Sequence, residues 1–288
     1  MNDADFTYLA TLLKERSGLI VTPDKQYLFD TRLGPIAREH KLKDVDTLIG
    51  AMRQSRNEIL IGAVVDAMTT NETSFFRDRH PFDAMRQIIL PALIRARAQQ
   101  KHIRIWSAAS STGQEAYSLA IMIAENFPML AGWKVEIVGT DISPTALARA
   151  NGATFSTFEV QRGLPIQMLV KHFSQEGDRW TLKPELRKRV TFQHFNLLGD
   201  LSPLGGFDVI FCRNVLIYFD IATKARVLDA MSRRLATDGA LVLGGSESVF
   251  GICPKFAGVS GLRGIYALDG KQPSWSASEP LTRNAAGF

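Results

Sequence analysis

A run of small residues follows an apolar strand pattern in the stretch Ile103–Leu119. The residues after this pattern, Ala108–Gly113, have side chains small enough for a ligand to approach the backbone closely. Helical apolar spacing begins at Glu115 and continues to Glu125. Because the free N–H groups at the N-terminus of this helix would face the loop, the stretch predicts a cradle for a bound ligand.

A second apolar strand pattern, Val135–Ser143, includes Asp141 near its end. In doubly wound sheets, an acidic residue at this offset accepts hydrogen bonds from the ribose of a bound nucleoside. The loop lacks both the G-x-G-x-x-G spacing of dinucleotide sites and the G-x-x-x-x-G-K-[ST] spacing of nucleotide triphosphatases. S-adenosylmethionine, which has a ribose and no phosphate, fits these features best. An ordinary turn at 110–113, with Asp141 as a helix N-cap, is the alternative that these two segments leave open.

The bulk composition limits the classes of protein that the chain can belong to. Its 288 residues exceed a typical single domain and predict two. No apolar run approaches the roughly 20 residues of a membrane span, and the first residues are acidic where a signal peptide is basic. We therefore expect a cytoplasmic protein with no membrane insertion. Cys212 and Cys253 lie too far apart in sequence for a metal motif, so we expect two buried thiols and no metal.

The net charge of +5 is a modest excess that leaves nucleic acid or an acidic protein surface as possible partners. The basic residues form two groups along the chain, and the simplest interpretation of either group is a solvated helix face. The first group is Arg32, Arg38, Lys41 and Lys43, and the second is Arg77, Arg79, Arg86, Arg95, Arg97, Lys101 and Arg104.

The apolar periodicity divides the chain into segments. Residues 1–68 are helical throughout and predict an all-α domain whose first helix ends at Gly18, and residues 69–100 link it to the core with a helix over 82–97. Residues 101–270 alternate strands and helices, which predicts an α/β fold with a parallel sheet. Within them, residues 155–189 break the rhythm and predict a small antiparallel insert with a tight turn over 175–178. The composition of residues 271–288 is typical of a disordered tail.

Four motifs occur together and in order: Asn71–Asp78, the cradle, Gly139–Ser143 and Phe207–Asp220. With them, the chain resembles the bacterial chemotaxis receptor methyltransferases, the CheR family, over about residues 5–268. The resemblance includes the segment Leu243–Glu247. The chain departs from the family pattern at Gln114, where an acidic residue is usual, and at Ala116, where a proline is usual.

The resemblance implies a Rossmann-like methyltransferase core behind an all-α receptor-docking domain. It implies that S-adenosylmethionine donates a methyl group to glutamate side chains on the cytoplasmic helices of chemoreceptors, leaving S-adenosylhomocysteine. The cofactor-contacting positions of the family match Asn71, Thr73, Arg77, Glu115, Asp141, Asn196, Leu197, Arg213 and Asn214. In this assignment Asp141 binds the ribose, Asn196 and Leu197 meet the adenine, and Glu115 with Asn71, Thr73 and Arg77 meets the methionine end.

The acceptor chemistry assigns two catalytic residues. A carboxylate is ionised at neutral pH, so the transfer needs alignment more than a general base. We expect Tyr218 to hold the incoming carboxylate and Arg77 to orient either that carboxylate or the carboxylate of the cofactor. The simpler alternatives are an aromatic that closes the core for Tyr218 and a surface ion pair with Asp78 or a neighbour for Arg77.

Two other functions compete with this interpretation. A nucleic-acid methyltransferase would suit the basic charge, but enzymes that methylate a base amine generally have an Asn/Asp-Pro-Pro-aromatic turn where this chain has Cys212–Val215. A non-catalytic module that senses the cofactor is the second alternative. We expect a monomer that is recruited to membrane receptor arrays, binds no nucleic acid, and does not depend on a pentapeptide at the receptor C-terminus.

Overall fold

The structure is a computed structural model that describes residues 1–55, 57–271 and 273–277. The helices are α1 Asp3–Ser17, α2 Tyr27–Glu39, α3 Val45–Ser55, α4 Glu58–Met68, α5 His80–Ala84, α6 Leu90–Ala96, α7 Gln114–Asn126, α8 Pro144–Gly152, α9 Thr157–Gln161, α10 Ile166–His172, α11 Pro184–Arg187 and α12 Ile221–Ser232. The strands are β1 His102–Ala108, β2 Lys134–Asp141, β3 Thr154–Ser156, β4 Phe173–Glu176, β5 Arg179–Leu182, β6 Val190–His194, β7 Phe207–Cys212, β8 Leu235–Leu243, β9 Phe256–Gly258 and β10 Ile265–Leu268.

The helices α1–α4 form the N-terminal all-α domain around their own apolar core. Helix α1 begins where the Asn2 side chain accepts the amide of Asp5 at 2.9 Å. It ends at Gly18, which has a φ of 78° and donates its amide to Lys14 O. The prediction that the first helix ends at Gly18 is confirmed.

The core sheet has the strand order β6-β2-β1-β7-β8-β10-β9. The five strands from β6 to β8 are parallel, as the sequence predicts, with helices α7, α8 and α12 between them along the chain. The sheet continues at one edge with two strands that the sequence did not predict, where β10 pairs antiparallel with both β8 and β9. Strand β10 has only four residues and β9 only three, so both are too short to show a clear apolar pattern in the sequence.

The segment between α8 and β6 forms a separate three-stranded antiparallel sheet in the order β3-β5-β4. The predicted antiparallel insert is therefore confirmed. The insert packs closely against the segment that follows the all-α domain at Gly163. A Cβ at this position would lie 2.0 Å from the carbonyl oxygen of Phe75, so the close approach requires a residue without a side chain. An ion pair of 2.6 Å between Arg162 and Glu72 spans the same boundary.

The helix predicted over 82–97 is present as α5, a π-helical turn Met85–Ile89, and α6. The prediction of a disordered tail over residues 271–288 is wrong for the first part of that range. Residues Ser274–Ala277 form a short 3₁₀ helix, and the buried indole of Trp275 donates to Asp238 O at 2.8 Å. Residue 272 and residues 278–288 lie outside the described residues.

Two basic residues from the second group stabilise the core sheet instead of forming a free basic face. Arg97 contacts the carboxylates of Asp208 and Asp238 at 2.8 and 2.6 Å, and Arg104 contacts Glu136 at 2.7 Å. Cys212 and Cys253 are buried free thiols, as predicted. Among the described helices, none is both long and apolar enough to cross a bilayer.

Candidate functional site

A cavity lies where the all-α domain meets the carboxyl ends of β1, β2 and β7. Strand β1 pairs with β2 on one side and with β7 on the other, so the chain leaves β1 at the switch point of the sheet. Open α/β sheets bind their ligands at this point. The cavity encloses about 970 Å³, part of it open to solvent.

All ten residues that the sequence assigns to catalysis or cofactor binding line this one cavity. They are Asn71, Thr73, Arg77, Glu115, Asp141, Asn196, Leu197, Arg213, Asn214 and Tyr218. They come from separate parts of the chain: the segment after α4, the start of α7, the end of β2, and the loops after β6 and β7.

Asp141 lies at the end of β2 and is 5% exposed. Its two carboxylate oxygens accept the backbone amides of Ser111 at 2.7 Å and Ser143 at 2.9 Å. Burial raises the pKa of Asp141 above the usual 3.8, and the amides of Ser143 and Ser111 offset part of this increase. The backbone amide of Ile142 also lowers the pKa of this carboxyl group. A carboxylate has about four lone-pair sites, so Asp141 keeps acceptor capacity beside the cradle. Ser143 also caps α8, so the predicted cap exists on Ser143 and not on Asp141.

The cradle loop after β1 has a strained backbone. Ala109 and Ser111 adopt positive φ values of 55° and 52°. The hydroxyl of Ser110 is buried, and no hydrogen-bond partner for it occurs in the described part of the chain. Strain and an unpaired buried hydroxyl at one loop are typical of a ligand site.

Arg213 follows β7 and ties three segments together with a side chain that is only 1% exposed. Its Nη1 donates to Glu115 at 3.0 Å, and its Nη2 donates to Arg77 O at 2.9 Å and to Asp78 at 2.7 Å. Glu115 also accepts the hydroxyl of Ser107 at 2.8 Å. The guanidinium is therefore engaged mainly by protein groups. Of the two forms of the ion pair predicted as the alternative for Arg77, the one with Asp78 is not formed, because Asp78 pairs with Arg213 and the Arg77 guanidinium donates to Glu72 O.

The segment after α4 contributes one wall of the cavity. The Asn71 carbonyl accepts the hydroxyl of Ser111 at 2.8 Å, and the Asn71 amide reaches the hydroxyl of Ser143 at 3.4 Å. The guanidinium of Arg77 donates to Glu72 O at 3.0 Å and lines the cavity. Thr73 lies between them in the same wall.

The all-α domain contributes a wall that the sequence did not indicate. Ser17 and Leu19, which flank the C-cap of α1, line the cavity. The side-chain amide of Asn196 donates to Arg16 O at 2.6 Å, and the backbone amide of Ile20 donates to Tyr218 O at 3.0 Å. Gly18 is visible in the sequence as a helix end, but the surface against which that end packs has no local signal.

The first basic group is only partly available as a free surface. Arg38, Lys41 and Lys43 are exposed. Arg32 instead donates to the carbonyls of Met68 at 2.8 Å and Thr69 at 3.0 Å, where it satisfies the last carbonyls of α4. The sequence-based assignment of Arg32 to an exposed basic face is therefore corrected.

The chain matches two family models. Residues 4–69 match the model of the CheR methyltransferase all-alpha domain, and residues 71–264 match the CheR methyltransferase SAM binding domain, where SAM is S-adenosylmethionine. The predictions of the family and of the cofactor are thus confirmed.

Curated relatives are similar over most of their length. Chemotaxis protein methyltransferase 1 of Pseudomonas aeruginosa is 40% identical over 252 residues, covering 86% of this chain and 91% of the relative. Chemotaxis protein methyltransferase Cher2 of Pseudomonas putida is 38% identical over 253 residues, with the same coverage of 86% and 91%. The chemotaxis protein methyltransferase of Salmonella typhimurium is 33% identical over 277 residues, covering 93% and 91%. The chain therefore belongs to the CheR methyltransferase family and carries both its all-α domain and its S-adenosylmethionine-binding domain.

Proposed function

We propose that this protein transfers a methyl group from S-adenosylmethionine to glutamate side chains on the cytoplasmic helices of chemoreceptors, giving γ-glutamyl methyl esters. The observation that supports this most directly is the single cavity that contains all ten residues assigned from the sequence. Membership in the CheR family, together with the names of the curated relatives, supports the class of acceptor.

The cavity lining has groups that suit each part of the cofactor. Asp141 offers a buried acceptor for the ribose hydroxyls. The side chains of Leu19, Ile142 and Leu197 offer apolar contact for the adenine. Arg77 can pair with the carboxylate of the methionine end. Glu115, whose carboxylate also accepts Arg213 and Ser107, offers an acceptor for the ammonium group.

The transfer step requires alignment of the acceptor. When bound, the cofactor supplies a methyl group on a positively charged sulfur. The glutamate oxygen forms a bond to the methyl carbon as the carbon–sulfur bond breaks, and the electron pair of that bond stays on sulfur. Because no proton moves, the residues of the site must orient the acceptor carboxylate in line with the breaking bond. The Tyr218 hydroxyl can donate to that carboxylate, and Arg77 can orient either that carboxylate or the carboxylate of the cofactor.

Transfer to nucleic acid is less favoured by the same site. A base amine is neutral and needs carbonyl acceptors and a stacking ring, whereas the loop after β7 places Arg213 and Asn214 at the cavity. Because Glu115 and Asp78 already pair with Arg213, the cation in the cavity lining that can attract an anionic acceptor is Arg77. A cofactor-binding module without catalysis would need no acceptor group such as Tyr218.

We further propose that the all-α domain docks on the receptor through the exposed basic residues Arg38, Lys41 and Lys43, since methylation helices are acidic. Docking of a monomer in this way would recruit the protein from the cytoplasm to receptor arrays.

The test is incubation of the purified protein with methyl-labelled S-adenosylmethionine and membranes that contain chemoreceptors. We expect label in the receptor band, released as methanol by mild alkali, because carboxyl methyl esters are alkali-labile. The Asp141→Ala variant is the matched control and should incorporate little label. Label in added RNA, with none in the receptor band, would overturn the proposal.

A further inference from the structure

The side chain of Glu247 lies behind the loop that follows β7 and is 8% exposed. Its carboxylate accepts four backbone amides. Oε1 accepts the amides of Val215 at 2.9 Å and Ile217 at 3.3 Å, and Oε2 accepts those of Asn214 at 2.8 Å and Gly244 at 2.7 Å. A carboxylate bound in this way fixes the path of the backbone that donates to it, because an ionised acceptor makes stronger hydrogen bonds than a neutral one.

The loop that Glu247 holds has residues of the cavity at both of its ends. Arg213, Asn214 and Val215 line the cavity at the start of the loop, and Tyr218 and Phe219 line it at the end. Glu247 itself is not part of the lining. Its effect on the site must therefore pass through the loop.

The backbone of this loop also needs an external restraint. Asn214 adopts a left-handed conformation with a φ of 59°, which is uncommon for a residue other than glycine. Two of the four amides that donate to Glu247, those of Asn214 and Val215, lie on either side of the strained Cα of Asn214. The carboxylate compensates for the strain at the point where it occurs.

There is little space around the Glu247 carboxylate on the side of β8. A Cβ at Gly244 would lie 2.7 Å from Glu247 Oε2 and 2.9 Å from the side-chain nitrogen of Asn214. Glycine at this position lets β8 end close enough for the carboxylate to reach across to the loop. Gly244 and Glu247 are thus two parts of one clamp.

We propose that Glu247 is a positioning residue for methyl transfer, because it holds the loop so that Tyr218 faces the acceptor carboxylate. This inference rests on the acceptor role given to Tyr218 in the proposed function. A carboxylate is required, since glutamine of the same shape has one acceptor oxygen and would turn an N–H group towards donors.

The first test is a double-mutant cycle between Glu247→Gln and Tyr218→Phe. We expect kcat of Glu247→Gln to fall by about tenfold or more, because a small misplacement of a reacting group is costly in rate. The Kd for S-adenosylhomocysteine should change less than kcat. If Glu247 acts through Tyr218, the double variant will be no slower than the slower single variant. Independent losses that multiply would overturn the proposal.

The second test measures directly, in protein without cofactor, how well the clamp protects the amides that donate to Glu247. Amide hydrogen exchange at Asn214, Val215 and Ile217 should accelerate by about tenfold or more in Glu247→Gln, since glutamine is neutral, accepts at only one of the two oxygen positions and turns an N–H group towards the other donors. Gly244→Ala should accelerate exchange at the same amides by displacing the carboxylate, which gives a second variant if Glu247→Gln folds poorly.

The matched control is Asp208→Asn at the other end of β7. Asp208 is also 8% exposed and accepts the backbone amide of Arg104 at 2.8 Å, but it is not in the cavity lining. We expect amide exchange over residues 214–217 in the Asp208→Asn variant to match that in the parent protein. Unchanged exchange in Glu247→Gln would overturn the clamp. A parent-like rate in Tyr218→Phe alone would instead overturn the acceptor role in the proposed function, so the two failures are distinguishable.

Discussion

The backbone amide of Ile20 donates a hydrogen bond of 3.0 Å to the backbone oxygen of Tyr218. This bond joins the end of the first helix of the all-α domain to the loop that is proposed to hold the acceptor. Next to it, Gly18 packs against the ring of Phe219, so closely that a Cβ on Gly18 would lie 2.9 Å from two ring carbons. The all-α domain therefore forms part of the site as well as the proposed docking surface.

Gly18→Ala should disturb this contact. Alanine would have to adopt a φ near 78°, which costs about 1–2 kcal/mol, and its Cβ would push Phe219 away. We expect a lower free energy of unfolding and weaker binding of S-adenosylhomocysteine, measured by urea denaturation and calorimetry. Ser17 and Leu19 line the cavity on either side of this glycine, which is why binding should suffer.

Gly62→Ala is the control for the Gly18 variant. Gly62 is exposed in the interior of α4, and a Cβ there would meet nothing within 4 Å. We expect this variant to be stabilised by about 0.5–1 kcal/mol with unchanged binding, as for other helix glycines. If both variants bind the cofactor like the parent, the end of α1 does not contribute to the site.

Much of this site could be predicted because its residues follow strands. Asp141 and Arg213 stand at or just after the ends of β2 and β7, and the carboxyl ends of parallel strands meet at one edge. The parallel strands themselves have the long apolar runs of a buried sheet. The antiparallel edge formed by β9 and β10 was missed because three or four residues are too few to show a period.

The remaining features depend on contacts that are distant in sequence. The bond between Asn196 and Arg16 joins residues 180 positions apart, and no local pattern indicates it. Trp275 was assigned to a disordered tail from the composition around it, but its indole is buried and donates to Asp238 O, a residue 37 positions away. In the sequence Arg32 cannot be distinguished from an exposed helical arginine, because its partner Met68 O belongs to the end of a different helix, α4.

Asp141→Ala should weaken cofactor binding by about 2 kcal/mol or more, since it removes the buried charged acceptor that is proposed to bind the ribose. Calorimetry with S-adenosylhomocysteine measures the change. Because burial raises the pKa of Asp141 above 3.8, binding to the parent protein should weaken as the pH falls through that raised value. The protonated carboxyl loses its charge and one acceptor site.

Asp66→Asn provides a matched control for this pH dependence. The negative charge of Asp66 contributes to the raised pKa of Asp141, so its removal should move the loss of binding to lower pH without abolishing binding at neutral pH. A dissociation constant for Asp141→Ala equal to that of the parent would show that the cradle is assigned to the wrong ligand.

Tyr218→Phe should lower kcat while the Kd for the cofactor stays nearly unchanged, because the hydroxyl is proposed to contact only the acceptor. The phenylalanine ring keeps the packing of the aromatic body in the cavity wall. Single-turnover rates with receptor-containing membranes measure the effect. Equal rates for variant and parent would mean that Tyr218 serves only to pack the site.

Charge reversal on the exposed basic face should weaken receptor docking. The double variant Arg38→Glu/Lys43→Glu leaves Arg32 in place, because Arg32 binds the end of α4. We expect the KM for receptor to rise by about tenfold at low salt and by less at high salt, where charges are screened, with the KM for cofactor unchanged. Reversal of the exposed Arg95 and Lys188, outside the all-α domain, is the control. Equal effects of the two double variants would place the docking face elsewhere.

The insert gives a prediction about tethering to the receptor. In some relatives an antiparallel subdomain at this point binds a pentapeptide at the receptor C-terminus as an added edge strand. In this protein Glu176 of β4 pairs with Arg179 of β5, so only Gly177 and Asp178 form the turn between the two strands. The tight turn predicted from the sequence is thus present. It leaves no longer recognition loop, and β4, an outer strand of the insert, has only four residues to offer a peptide.

We therefore expect titration with that pentapeptide to give no saturable binding at micromolar concentrations, and a receptor that lacks the peptide to be methylated at the same rate as one that carries it. A pentapeptide-dependent relative, titrated under the same conditions, is the positive control. Micromolar binding to this protein, with faster methylation of the receptor that carries the peptide, would show that the short β4 edge is sufficient for capture. Equal rates for the two receptors would instead assign receptor recognition to direct docking on the methylation helices.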